Sequence, residues 1–285
     1  MDIRCIWPLA AKLGEGALWW QDAAWFTDIK QKRIHRFDPA SGMGKSWEAP
    51  AEPGFIAPAT DGTFIAGLKT GLHRFVPESG AFSRLAEVEP QFPGNRLNDG
   101  AVDAAGRLWF GSMDDDEVAQ RGALYRFARG ALTLADPDYL ITNGPTFSPD
   151  GTRLYHTDTL KKEIYVFDLS PEGALSNKRL FTRIEDGAGY PDGPVVDAEG
   201  CLWTGLFAGW AIRRYSPDGA LVQTIEMPVA NITKLAFGGP DLKDVYVTTA
   251  WKGLDDAARK EQPLAGGLFH FRSDVPGLKQ NAYRA

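Results

Sequence analysis

One pattern recurs six times along this chain of 285 residues, and few architectures accommodate it. The unit is a turn, an apolar run ending in a small or polar residue, a short gap, and a second apolar run carrying an aromatic. Its copies are residues 21–28 (QDAAWFTD) with 33–38 (RIHRFD), 61–67 (DGTFIAG) with 71–75 (GLHRF), and 105–111 (AGRLWFG) with 122–127 (GALYRF). They continue with 150–158 (DGTRLYHTD) and 163–168 (EIYVFD), 199–205 (EGCLWTG) and 211–215 (AIRRY), and 244–249 (DVYVTT) and 267–271 (GLFHF). Successive copies begin roughly 40 to 50 residues apart, the period of a four-stranded propeller blade. A pair of apolar strands cannot bury both faces alone, so neighbouring units must stack face to face around an axis. Residues 3–7 (IRCIW) precede the first copy and are available to pair with the last unit, removing the open edge. The pattern predicts an all-β, six-bladed β-propeller spanning residues 1–285 as a single domain, closed by the N-terminal strand. A sandwich or solenoid has similar strand density, but neither predicts a repeat of this length.

Composition agrees: 31 Gly and 19 Pro supply turns, while nine Trp and 16 Phe favour strands. One short helix is expected, near 254–262 (LDDAARKEQ), in a solvated connection. The formal net charge of −6 and scattered Lys and Arg leave no basic stripe, so nucleic acid is not an expected partner. The first residues lack a signal-peptide pattern and no apolar run is long enough to cross a bilayer, so a soluble, cytoplasmic monomer without membrane contacts is expected. Cys5 and Cys201 are too few and too far apart in sequence for a thiolate cluster or a disulfide framework.

The informative polar residues lie between the repeats, in 13–16 (LGEG), 95–100 (NRLNDG), 142–145 (TNGP) and 190–194 (YPDGP). Each sets a carboxylate or amide beside glycine, and each is followed by a short apolar segment: 17–19, 101–103, 146–148 and 194–196. Those segments are expected to be the inner strands lining a central channel, with the polar stretches just before them at its mouth. The chain economises elsewhere, since a turn at 197–200 already launches the strand at 201–203. Asp192, one strand earlier, is therefore expected to enter the channel. Glu15, Asn143 and Asp192 together offer two carboxylates and an amide oxygen, a set suited to one divalent cation such as Ca²⁺, Mg²⁺, Mn²⁺ or Fe²⁺, with Zn²⁺ also compatible. On spacing alone they are equally ordinary turn residues, because Asn-Gly and Asp-Gly are common turn dipeptides. No Gly-x-Ser-x-Gly elbow is present, and His35, His73, His156 and His270 sit in or beside strand segments without metal-type spacing.

Five stretches in order, LGEG (13–16), NRLNDG with VDAAGRLWFGSM (95–113), NGPTFSPDGTRLYHTDT (143–159), YPDGPVVDAEGCLW (190–203), and AFGGPDLKDVYVTTA followed by PLAGGLF (236–269), resemble the senescence-marker/gluconolactonase/luciferin-regenerating family, which includes regucalcin and sugar lactonases. The resemblance covers nearly the whole chain. It implies a six-bladed propeller binding one divalent cation, with Glu15, Asn143 and Asp192 as ligands and Arg96 and Asn98 contacting substrate. A further acidic substrate contact falls on Asp116, with Asp114 and Asp115 adjacent to it. Pro145 departs from the bulky residue common at that place, and is expected to stiffen the loop holding Asn143. The implied activity is metal-dependent hydrolysis of a sugar lactone to its aldonic acid, with Asp192 as general base. A metal-dependent phosphotriesterase and a non-catalytic metal-binding propeller are the alternatives.

Overall fold

The computed structural model describes residues 2–284. Its strands form six four-stranded antiparallel sheets, in chain order Gly14–Trp20 to Met43–Glu48, Pro53–Pro58 to Ala81–Ala86, Asn95–Val102 to Ala131–Tyr139, Thr142–Phe147 to Leu175–Arg183, Tyr190–Val196 to Leu221–Glu226, and Ile232–Gly238 to Leu268–Arg272. We number these blades 1 to 6. The sixth gains its fourth strand from Arg4–Trp7, which pairs antiparallel with Leu268–Arg272 through Arg4↔His270 and Cys5↔Phe269. The ring is therefore closed by the N-terminal strand, as the repeat requires: it is the outer strand of the last blade, paired to a strand from the other end of the chain.

The repeat detected in the sequence corresponds to the second and third strands of each blade. These are sandwiched between neighbours and must be apolar: Ala23–Asp28, Phe64–Leu68 and Leu108–Asp114 are buried throughout. Fourth strands form the rim and are mostly exposed, as in Met43–Glu48, so they carry little apolar signal and escape the pattern. Between blades the faces are filled by aromatics, including Trp109, Trp203, Phe55 and Phe110, all essentially inaccessible. The short helix is Asp256–Glu261, capped by Asp255, whose Oδ1 accepts from Ala258 N at 2.8 Å. No described helix is long and apolar enough to cross a membrane.

The inner strands correct one expectation. Glu15, Asn98, Asn143 and Asp192 do not precede the inner strands but lie within them, and the segments 17–19, 101–103, 146–148 and 194–196 are continuations of the same strands or the turns after them. A carboxylate or amide beside glycine has the composition of a turn; in blades 1, 4 and 5 that glycine lies in a bulge. Pro145 likewise lies in the bulge of a strand rather than in a loop.

At the far end of the channel from these polar residues, residues 276–284 cross the base of the propeller. Gly277 bridges Asp197 of blade 5, Asn281 Nδ2 donates to Val102 O of blade 3, and Tyr283 bridges Ala59 of blade 2. The tail helps enclose a cavity of about 610 Å³ bordered by Ala17, Ile56, Ala101, Pro145, Pro194 and Lys234.

The turn at 197–200 has its own task. Asp197 Oδ1 accepts from Glu199 N and Cys201 N at 2.9 and 3.0 Å, and Oδ2 accepts from Trp203 Nε1 and Arg214 Nε, both at 2.8 Å. Asp103 repeats the arrangement with Ala105 N, Arg107 and Trp109 Nε1. One buried carboxylate thus pins the hairpin, the core tryptophan and a cation, which is Arg214 of the third strand for Asp197 and Arg107 of the turn itself for Asp103. Asp197→Ala leaves those donors buried without an acceptor and is expected to lower stability by about 3 kcal/mol or more, read from the urea midpoint; a loss under about 1 kcal/mol would contradict this role.

Candidate active site

In five of the six inner strands the register slips by one residue at the same level. Pairing jumps from Glu15↔Thr27 to Leu18↔Trp25, from Leu97↔Ser112 to Gly100↔Phe110, from Asn143↔Thr157 to Thr146↔Tyr155, from Asp192↔Gly205 to Val195↔Trp203, and from Ile232↔Thr249 to Leu235↔Val247. In each, two residues face one across the ladder. This is a β-bulge, a device that re-aims side chains beside functional sites. Glu15, Asn143 and Asp192 occupy one equivalent position, the last paired residue before the bulge, in blades 1, 4 and 5. Each is followed by glycine in the left-handed region: Gly16 at φ 60°, Gly144 at 84° and Gly193 at 40°. A Cβ on Gly193 would lie 2.4 Å from Thr233 O. The Glu-Gly, Asn-Gly and Asp-Gly pairs are therefore bulge elements forced by close strand approach.

Hydrogen bonds fix the orientation of the three side chains. Glu15 Oε2 accepts from Gly16 N and Asp192 Oδ1 from Gly193 N, both at 2.9 Å. The Thr159 hydroxyl donates to Pro191 O at 2.8 Å and so must accept from Asn143 Nδ2, also at 2.8 Å. That commits the Asn143 amide nitrogen and leaves its oxygen as the group turned toward Asn98, whose Nδ2 lies 3.1 Å away. Asn98 also donates to Thr142 O at 2.6 Å, and its oxygen accepts from Arg96 Nη1. Arg96, Asn98 and Asn143 thus form one connected row.

Two residues that the sequence reading passed over complete the floor. Asp99 Oδ2 accepts from Gly144 N at 2.7 Å and from Lys234 Nζ, and both side chains are almost wholly buried. Asp99 belongs to blade 3 and Lys234 to blade 6, on opposite sides of a six-membered ring, so their ion pair crosses the channel axis. Above it lie the polar side chains; below it opens the cavity that Lys234 also borders. Asp99 was hidden as an apparent turn residue in NRLNDG. Lys234 left a usable signal, a lone lysine in Ile232–Gly238, every residue of which is buried.

Of the three adjacent aspartates, Asp115 is the one held against Arg96, with Nε–Oδ1 at 2.7 Å. Asp114 is turned to the backbone N–H groups of Val118 and Ala119. Asp116 is exposed and is not brought to Arg96.

Glu15 is 3% exposed and Asp192 6%, and among the described residues neither carboxylate has a cationic side chain on it. Burial, together with the charge of Asp99, pushes Glu15 up to about 7, Gly16 N–H and Lys234 only partly offsetting it. Burial and then the charges of Glu15 and Asp99 push Asp192 well above the ordinary carboxylate range. Among the described residues no three His, Cys, Asp or Glu side chains form a metal cluster; the third oxygen here is an amide. Two buried carboxylates without an ion-pair partner among the described residues, beside an oriented amide oxygen, nevertheless fit a hard divalent cation, which would remove the repulsion.

Two outcomes are expected. Lys234→Met leaves the Asp99 carboxylate buried and unpaired and should lower stability by about 3–5 kcal/mol in a denaturant titration, whereas an unchanged midpoint would show the pair to be dispensable. In protein kept metal-free by a chelator, Glu15 binds its proton more tightly folded than unfolded. The resulting stability is complete below the unfolded carboxyl value and is lost as pH rises through about 7. Thermal midpoints should therefore fall between pH 5 and 8, and Glu15→Gln should flatten that fall; an equally steep fall in the variant would exclude Glu15 as its source.

With this geometry in view, residues 13–251 match the SMP-30/gluconolactonase/LRE-like region. The chain is 38% identical over 274 residues to an L-arabinolactonase of Azospirillum brasilense, covering 93% of this chain and 90% of that protein. It is 32% identical to a 6-deoxy-6-sulfogluconolactonase of Pseudomonas putida, covering 98% and 97%. A calcium-binding regucalcin from Agrobacterium tumefaciens superposes with a TM-score of 0.96 at 31% identity, covering 100% of this chain and 98% of that one. The ring of six blades, the shared level of its polar bulges and these full-length likenesses agree: the chain belongs to the SMP-30/gluconolactonase/LRE-like family.

Proposed function

We propose that the protein hydrolyses the ester of a sugar lactone to the open aldonic acid, using one divalent cation held by Glu15, Asn143 and Asp192. The observation that carries this reading is the set of three oxygen-bearing side chains at one bulge level around one channel mouth, beside the row from Arg96 through Asn98. Relatives named as arabinolactonase and sulfogluconolactonase support the substrate class. The regucalcin neighbour, titled a calcium-binding protein, supports the cation without fixing its identity. The chemistry such an ion supplies when bound is Lewis-acid polarisation of an ester carbonyl.

The chain's own groups supply the rest. Asp192 has one carboxylate oxygen committed to Gly193 N–H, and its other oxygen has no hydrogen-bond donor among the described residues. That oxygen is the general base, taking a proton from the water that adds to the lactone carbonyl and returning it to the ring oxygen as the C–O bond breaks. Arg96 and Asn98 hydrogen-bond the sugar and hold it in register, and Arg96 is held in place by Asp115. Asp115, rather than Asp116, is the acid of this trio that reaches Arg96, and in this reading it acts through Arg96. The almost complete burial of Asp99 and Lys234 closes the channel floor to bulk water.

Acid release measured by pH-stat on D-glucono-, D-xylono- and L-arabinono-lactones tests this. Activity should disappear on chelation and return with added divalent ion, and Asp192→Asn should lower kcat by about 10²- to 10⁴-fold. Full turnover by chelated protein or by the Asp192→Asn variant would contradict the proposal, and faster turnover of an aryl phosphotriester than of any lactone would replace it.

A further inference from the structure

The mouth of the channel carries two lysines, Lys30 and Lys69, that the proposed reaction does not use. Asp115 accepts from Lys30 Nζ at 2.6 Å, from Lys69 Nζ at 3.0 Å and from Arg96 Nε at 2.7 Å. The three cations come from three blades: Lys30 follows the second strand of blade 1, Lys69 follows that of blade 2, and Arg96 lies in the inner strand of blade 3. All three blades deliver them to the same rim, above the level of Glu15, Asn143 and Asp192. Burial works to raise the Asp115 carboxyl, but hydrogen bonds from Lys30 and Lys69 and the charge of Arg96 outweigh it and hold Asp115 ionised far below the ordinary range.

One carboxylate cannot balance three cations. Neither lysine has a second acidic partner within ion-pair distance among the described residues. The other acids of this rim are engaged elsewhere or turned away. Asp28 accepts the backbone N–H groups of Lys12, Leu13 and Gln31, Glu117 pairs with Lys252, and Asp116 is exposed to solvent. Three cationic side chains thus meet one carboxylate at the mouth of a protein whose formal net charge is −6. The lysine side chains are 19% and 30% exposed, enough to be reached by a ligand and enclosed enough for the charge to be felt. The site is thus polarised, with Glu15 and Asp192 on its floor and a cluster of three cationic side chains on one wall.

We infer that Lys30 and Lys69, with Arg96, form a subsite for an anionic substituent carried by the lactone away from its ester, a carboxylate, sulfonate or phosphate on the terminal carbon. This rests on the lactonase reading and narrows its substrate class from neutral sugars to acidic ones. The lactone carbonyl then faces the oxygen donors on the floor, while the terminal anion lies against the wall. Such a pairing orients the ring end to end, because reversing it would set the anion against Glu15 and Asp192, which hold no cationic side chain among the described residues.

The test compares lactones of the same ring that differ at the terminal carbon: hydroxymethyl, carboxylate, sulfonate and phosphate. At low salt the wild-type protein should show kcat/KM at least about tenfold higher for one or more anionic lactones, carried by KM and eroded by added salt. The double variant K30Q/K69Q should lose that preference while hydrolysing the neutral lactone within about threefold of wild type; its melting curve checks that it folds, and Asp115 retains Arg96. Calorimetric binding of an open-chain aldarate against the matching aldonate gives a readout independent of turnover. The dianion should bind tighter to wild type and equally to K30Q/K69Q. Equal kcat/KM and equal binding across the series in wild type, or a preference that survives in the double variant, would overturn the subsite and leave the lactonase reading intact. No hydrolysis of any lactone alongside a lysine-dependent preference for the dianion would overturn that reading and keep the subsite.

Discussion

Like charges buried around a single axis are the constraint on which the rest of this structure depends. Glu15, Asp99 and Asp192 descend from three blades into one narrow channel, and Lys234 is the cation at their level. Lys234 is committed to Asp99 across the ring, which leaves Glu15 and Asp192 each with a single backbone N–H donor among the described residues. A protein does not keep such a pair ionised and dry without compensation: either protons are taken up or a cation is bound. The chemistry proposed for the site is the second alternative. The rim shows the complementary imbalance in Lys30, Lys69 and Arg96 around Asp115, so the two halves of the site ask for opposite charges at a fixed separation.

The propeller makes this convergence possible through a repeated local defect. A regular inner strand would alternate its side chains between the faces of its own sheet and present none of them specifically to the axis. A bulge at the same level in several blades breaks that alternation at one height, so that equivalent residues of different blades meet. Where the bulge carries Glu-Gly, Asn-Gly or Asp-Gly the result is an oxygen donor. Blade 3 supplies Asn98 and Asp99 from within its bulge, and blade 6 supplies Lys234. Six-fold architecture thus yields an asymmetric site, because each blade fills the same backbone position with different chemistry.

Much of the fold was legible because apolar strand pairs must be sandwiched between blades, which imposes a period that survives sequence divergence. The exposed fourth strands were not legible, since a rim strand such as Met43–Glu48 needs no apolar pattern. Glu15, Asn143 and Asp192 could be picked out because glycine follows each, but glycine marks a bulge as readily as a turn, and the inner strands were therefore started too late. Asp99 and Lys234 depend on a contact between residues 135 apart in sequence, which no local pattern encodes. The same holds for Lys30 and Lys69: isolated lysines in tight turns look like ordinary surface residues until three blades bring them to one carboxylate.

The central claim is that three side chains from separate blades share one ion. It is tested most directly by titrating metal-free protein with Mn²⁺ and counting bound ions by electron paramagnetic resonance. The account predicts one tight site per chain, lost when Glu15 and Asp192 are replaced together by their amides and weakened when Asn143 is replaced by leucine. Undiminished binding in those variants, or no ion bound to the unaltered protein, would contradict it.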